Sequence, residues 1–127
     1  MNPKIILSIG LTTFTLIACS TTPTHPNAPK VLEQHKNISA EPHTKHNLAR
    51  LIKQQDNCVI EFTGNFEMGK ATEHWIFKGD QLISSFSNIH AEVGNMQTVF
   101  DVQDAEKQAN FSALKNNFKR SNLDLCN

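Results

Sequence analysis

Apolar residues are distributed along this chain in three regimes. Ile5 to Ala18 is apolar apart from Ser8, Thr12, Thr13 and Thr15, whereas residues 20–46 hold almost no apolar side chains and carry Pro23, Pro26, Pro29 and Pro42. From Asn47 onward the apolar positions become periodic. Leu48, Leu51 and Ile52 recur at helical spacing before Asp56-Asn57, which predicts a short helix. In 58–63, Cys58, Ile60 and Phe62 alternate with Val59, Glu61 and Thr63, the mark of a half-buried strand. Gly64-Asn65 interrupts it, and Gly69 closes a loop before 72–78, where Glu73, Trp75 and Phe77 alternate with His74, Ile76 and Lys78. Gly79-Asp80 predicts a hairpin turn.

Residues 81–91 form the expected returning strand. Leu82, Ile83, Phe86 and Ile89 do not keep one phase, as at a bulge. Gly94-Asn95 turns the chain into a fourth strand, 96–102. Phe111, Leu114 and Phe118 then recur on one side of a closing helix that Asp101 or Asp104 can cap, and that helix is expected to cover one face of the sheet. The fold class expected is therefore α+β: an antiparallel sheet of about four strands flanked by an N-terminal and a C-terminal helix. It divides the chain into a leader, 1–18, a flexible Pro- and His-containing tether, 19–46, and one small domain, 47–127. Val31 and Leu32 in the tether suggest no more than a brief helical turn. Closely spaced prolines in a stretch with little apolar surface to bury favour extended, disordered chain.

The leader has a charged start at Lys4 and an apolar core of about 14 residues, short of the roughly 20 that a membrane-spanning helix needs. It ends Leu16-Ile17-Ala18-Cys19. This run resembles the signal peptide of bacterial lipoprotein precursors, in which an aliphatic, a small or aliphatic and a small residue precede an invariant cysteine. The resemblance implies cleavage before Cys19, a diacylglycerol on its sulfur and acylation of the new amino group with a chain such as palmitate. Two or three acyl chains would hold the protein on a membrane permanently. Ser20 in place of an aspartate implies the outer membrane by the same resemblance; a domain facing the periplasm, in preference to the cell surface, is the expected orientation. The likeness ends at about residue 20, the span of a signal peptide, and implies nothing about the domain.

Of the 12 basic and 12 acidic residues only Lys4 lies in the leader, so the remainder is nearly neutral. That balance gives no electrostatic reason to expect nucleic acid as a partner. His25, His35, His43 and His46 lie in or at the end of the tether. His43 and His46, three residues apart, are weak candidates for a metal site, because no cysteine or fixed scaffold completes the ligand set. No metal or other cofactor is assigned. Cys58 and Cys126 are an even pair in an exported domain and are expected to form a disulfide, which closes a loop of about 70 residues.

Motifs for catalysis are scarce. Neither a Gly-x-Ser-x-Gly elbow, a His-Glu-x-x-His helix nor a phosphate-binding glycine loop occurs. Glu61, Glu67, Glu73 and Glu92 read as solvent-facing acids, and His74 and His90 as solvent-facing histidines, so no catalytic residue is assigned. Trp75 and Phe77 read chiefly as core, with a possible second role as an exposed binding patch. The function expected is non-enzymatic: a lipid-anchored envelope protein that binds another envelope protein, as an assembly factor or as an immunity or inhibitor protein presenting a loop near 65–70. A periplasmic carrier of a small ligand or metal is the second class. A small hydrolase is the third.

Overall fold

A computed structural model of the chain describes residues 25–40, 43–66 and 69–127. Six strands follow one another in chain order: β1 (Lys30–Lys36), β2 (Leu48–Lys53), β3 (Cys58–Phe66), β4 (Gly69–Lys78), β5 (Gln81–Ala91) and β6 (Gly94–Val99). They form a single antiparallel meander in the order β1-β2-β3-β4-β5-β6. Two short helices come after the sheet, α1 (Ala105–Lys115) and α2 (Arg120–Leu123), and a 3₁₀ turn at Asp124–Cys126 closes the chain. The architecture is mostly β, which corrects the expected four-stranded α+β arrangement.

Both differences lie at the N-terminal side. Leu48, Leu51 and Ile52 belong to β2, not to a helix: Ala49 and Leu51 point into the core while Ile52 takes the other face. Six residues reading Leu-Ala-Arg-Leu-Ile-Lys fit both periods, and pairing with β3 decides between them. The second difference is β1, which lies within the segment expected to be a disordered tether. It is ordered by distant partners. The Glu33 carboxylate accepts from the Lys119 N–H at 3.0 Å, from Asn122 Nδ2 at 2.8 Å and from His35 Nε2 at 2.6 Å. Burial alone would raise the Glu33 pKa, but these hydrogen bonds and the His35 charge outweigh it and hold the carboxylate below its ordinary range.

The described residues of the connector between β1 and β2 are also pinned. Asn47 is buried and bonds both main-chain groups of Ile38, accepting from the N–H and donating to the carbonyl, each at 2.8 Å. Thr44 then packs over Gly64 so closely that a Cβ at that glycine would stand 2.9 Å from Thr44 Oγ1. Only glycine leaves that space.

One face of the sheet carries the core. Ala49, Leu51, Ile60, Phe62, Trp75, Phe77 and Leu82 pack against Phe111 and Leu114 of α1 and against Phe118, so the closing helix covers this face as its periodicity suggested. Asp104 caps α1, accepting from the Glu106 N–H at 2.8 Å. The register slips between Ile76 and Phe77 opposite Ser84 and Leu82, leaving Ile83 as the extra residue of a bulge and returning both Leu82 and Ser85 to the core. β6 ends at Val99, earlier than expected. Phe100 and Val102 instead leave the sheet and pack on the core from the loop before α1. Cys58 and Cys126 are joined by a disulfide across 68 residues, which ties the end of the chain to the start of β3.

Candidate functional site

Cys19 and the Leu16-Ile17-Ala18-Cys19 run lie outside the described residues, as does Glu67. Trp75 and Phe77 do not form a surface patch: they are 1% and 0% exposed. Trp75 lies against Phe100 and Phe111 with ring centroids 5.6 and 6.4 Å away, and Phe77 meets Phe111 edge-on at 5.2 Å. Alternation alone could not say which face α1 would cover. His43 and His46 are both exposed and line a shallow hollow of about 280 Å³ with Ile38, Thr44 and Lys45. Among the described residues no group of three or more His, Cys, Asp or Glu is placed to hold a metal ion.

The face turned away from α1 carries a more organised set of side chains. The register aligns Arg50, Glu61, His74, Phe86 and Val99 as one row across five strands. Strand alternation sends all five to the same side. Arg50 Nε and Nη2 both donate to Glu61 Oε1, at 3.2 and 2.7 Å. His74 Nε2 lies 3.6 Å from Glu61 Oε2, and the imidazole stacks on the Phe86 ring with centroids 4.7 Å apart and planes 15° from parallel. Side-chain exposures of 34% for Arg50, 23% for Glu61 and 24% for His74 leave the row accessible yet held in place. Ile52, Val59 and Ile76 form a parallel apolar row on the same face.

Of these residues, Glu61 and His74 are the ones the sequence assigns to solvent. The signal was present in the alternation of Val59, Glu61 and Thr63 with the core positions. What was missing was the register that sets Arg50 beside Glu61 and His74 beside Phe86, a long-range property of the sheet. The row combines a fixed ion pair, a stacked imidazole and flanking aliphatic groups on rigid strands. That is a surface suited to recognition: its charged groups are already oriented, so little side-chain freedom is lost on contact.

On the α1 side, Glu73 differs from the exposed acid its sequence position suggested. Its side chain is partly buried next to Trp75, whose Nε1–H donates to Glu73 Oε2 at 3.0 Å. Burial pushes the Glu73 pKa above its ordinary 4.5, opposed by the Trp75 hydrogen bond and by the Lys107 charge. A raised folded-state pKa means the native protein holds this proton more tightly than the unfolded chain does. The contribution is thus complete below about pH 4.5 and is lost as pH rises through the folded value. Glu73→Gln keeps an acceptor for Trp75 and removes the ionisation. The variant is expected to be more stable than the wild type at pH 7 and equal to it near pH 4. Urea midpoints across that range check this, and a constant difference at all pH values would contradict it.

Comparison of the chain with protein-family models, curated proteins and solved structures returned no significant match.

Proposed function

We propose that this chain is a lipid-anchored protein of the bacterial cell envelope, acylated at Cys19, that works by binding another envelope protein through the sheet face turned away from α1. The observation carrying the binding role is the Arg50–Glu61–His74–Phe86 row, with its preset ion pair and stacked ring. The anchoring role rests on the Leu16-Ile17-Ala18-Cys19 run and its resemblance to lipoprotein precursors. An anchor of two or more acyl chains confines a module to the membrane plane, and confinement raises the effective concentration of a membrane-bound partner. Ser20 favours the outer membrane by the same resemblance, and the reading takes the domain to face the periplasm.

Crosslinking and capture from the native envelope test both parts. The lipidated wild type is expected to recover one stoichiometric partner, and a face variant carrying Arg50→Gln and Phe86→Ser is expected to recover at least about tenfold less, in line with loss of a central anchor residue. The variant must keep the Cys58–Cys126 bond and the wild-type circular dichroism. Equal recovery by both proteins would remove this face from the reading. Cys19→Ala should release the protein from the membrane fraction and block processing of the precursor. Release without a processing defect would defeat the lipid anchor.

A further inference from the structure

The two edges of the sheet are built differently. β1, at one edge, carries Lys30, Glu33, His35 and Lys36 and has a register break between Val31 and Glu33. Charge and irregularity are the usual means of closing an edge to further strands. β6, at the other edge, reads Gly94-Asn95-Met96-Gln97-Thr98-Val99, with neither a charge nor a proline. All six residues are exposed, Met96 at 65% and Val99 at 73%.

The direction of the free main-chain groups follows from one hydrogen bond. The Phe100 N–H donates to the Ser85 carbonyl at 2.9 Å. Bonded and non-bonded pairs alternate along an antiparallel ladder, so the next bonded pairs are Ser87 with Thr98, Ile89 with Met96 and Ala91 with Gly94. The N–H and C=O groups of Asn95, Gln97 and Val99 therefore point away from β5, out of the sheet.

We propose that β6 pairs antiparallel with β6 of a second copy of this chain, about a two-fold axis at Gln97. That register sets Gln97 opposite Gln97, Asn95 opposite Val99 and Val99 opposite Asn95, and each pair exchanges two main-chain hydrogen bonds. Every outward group of the strand is used. A slip by one residue would set opposite faces of the two sheets against each other, and a slip by two would strand an outward residue at each end. Between the bonded pairs Met96 packs over Thr98 of the second copy, and no like charges meet along the strand. Because β1 is closed, the assembly stops at two copies; a β1-to-β6 contact, which would propagate into a filament, is disfavoured. One strand from each copy makes a small interface, so the dissociation constant belongs in the micromolar range.

The test uses the full-length chain in density-matched detergent. Sedimentation equilibrium of the wild type should show a monomer–dimer exchange, and Gln97→Lys, which opposes two ammonium groups at the axis, should weaken dimerisation at least tenfold. Opposed residues of a bonded antiparallel pair lie about 5.5 Å apart at Cα, within disulfide span. Gln97→Cys should therefore crosslink under mild oxidation at least tenfold faster than Ser121→Cys, an exposed position on α2. A wild type that stays monomeric at several hundred micromolar would overturn the proposal, as would assemblies larger than a dimer. So would a Gln97→Lys dimer as tight as the wild type, or equal crosslinking at residues 97 and 121.

Discussion

Replacing Cys58 and Cys126 together by alanine is expected to lower stability by about 4 kcal/mol, from the loop-closure entropy of a bond that spans 68 residues. Domains of this size are stable by only about 5–15 kcal/mol, so the loss would be a large fraction of the total. The bond's place in the fold sharpens the expectation. Cys58 opens β3 and Cys126 lies in the final turn, both fully buried, and the remaining main-chain tie at that point is the Gly79 N–H donating to the Cys126 carbonyl at 2.8 Å. Without the disulfide, the segment after α1 is held by that bond, by the packing of Phe118 and Leu123 and by the Glu33 hydrogen bonds to Lys119 and Asn122. The check is a denaturant titration of the oxidised wild type, the wild type under reductant and the double variant. The last two should fall together, with midpoints well below the first. Equal midpoints for oxidised and reduced protein would show that the bond contributes no stability.

What the sequence revealed and what it concealed divide along one line, the range of the interaction. The hairpin at Gly79-Asp80, the irregular phase of β5, the Asp104 cap and the Phe111–Leu114 spacing of α1 were legible because each is set by residues close in the chain, although α1 ends at Lys115 and leaves Phe118, expected on the same helix, beyond it. The disulfide was legible because, with Cys19 set aside by the resemblance of the leader to an export signal, two cysteines remain and an exported domain favours their oxidation. β1 was not legible. Its sequence, Lys-Val-Leu-Glu-Gln-His-Lys, has no clean alternation, and it is fixed by β2 and by acceptor chemistry at Glu33 toward residues more than eighty positions away. β2 was read with the wrong period because six residues cannot separate a helical stripe from an alternating one. The candidate site was concealed for the same reason. Arg50, Glu61, His74 and Phe86 are unremarkable singly, and only the register assembles them.

Trp75→Ala is the second large effect expected, about 3–5 kcal/mol as for other deletions of a buried aromatic side chain. Trp75 joins the sheet to the helix layer through Phe100 and Phe111, so its loss opens a cavity that rigid strands on one side cannot close. As the chain's single tryptophan it is also its own fluorescence probe, so the unfolding of variants must be followed by far-ultraviolet circular dichroism. The more discriminating substitution is Trp75→Phe. It keeps most of the apolar volume but removes the Nε1–H that serves the Glu73 carboxylate. Hydrogen bonds to charged groups contribute about 1.5–3 kcal/mol and neutral ones about 0.5–1.5. At pH 7, Trp75→Phe should therefore cost about 1 kcal/mol more in the wild-type background than in Glu73→Gln, where the acceptor is neutral. Below pH 4.5, where Glu73 is protonated in the folded protein, the two costs should converge. Equal costs at both pH values would mean that Trp75 acts by packing alone and that the raised Glu73 pKa has no part in holding the sheet to its helix.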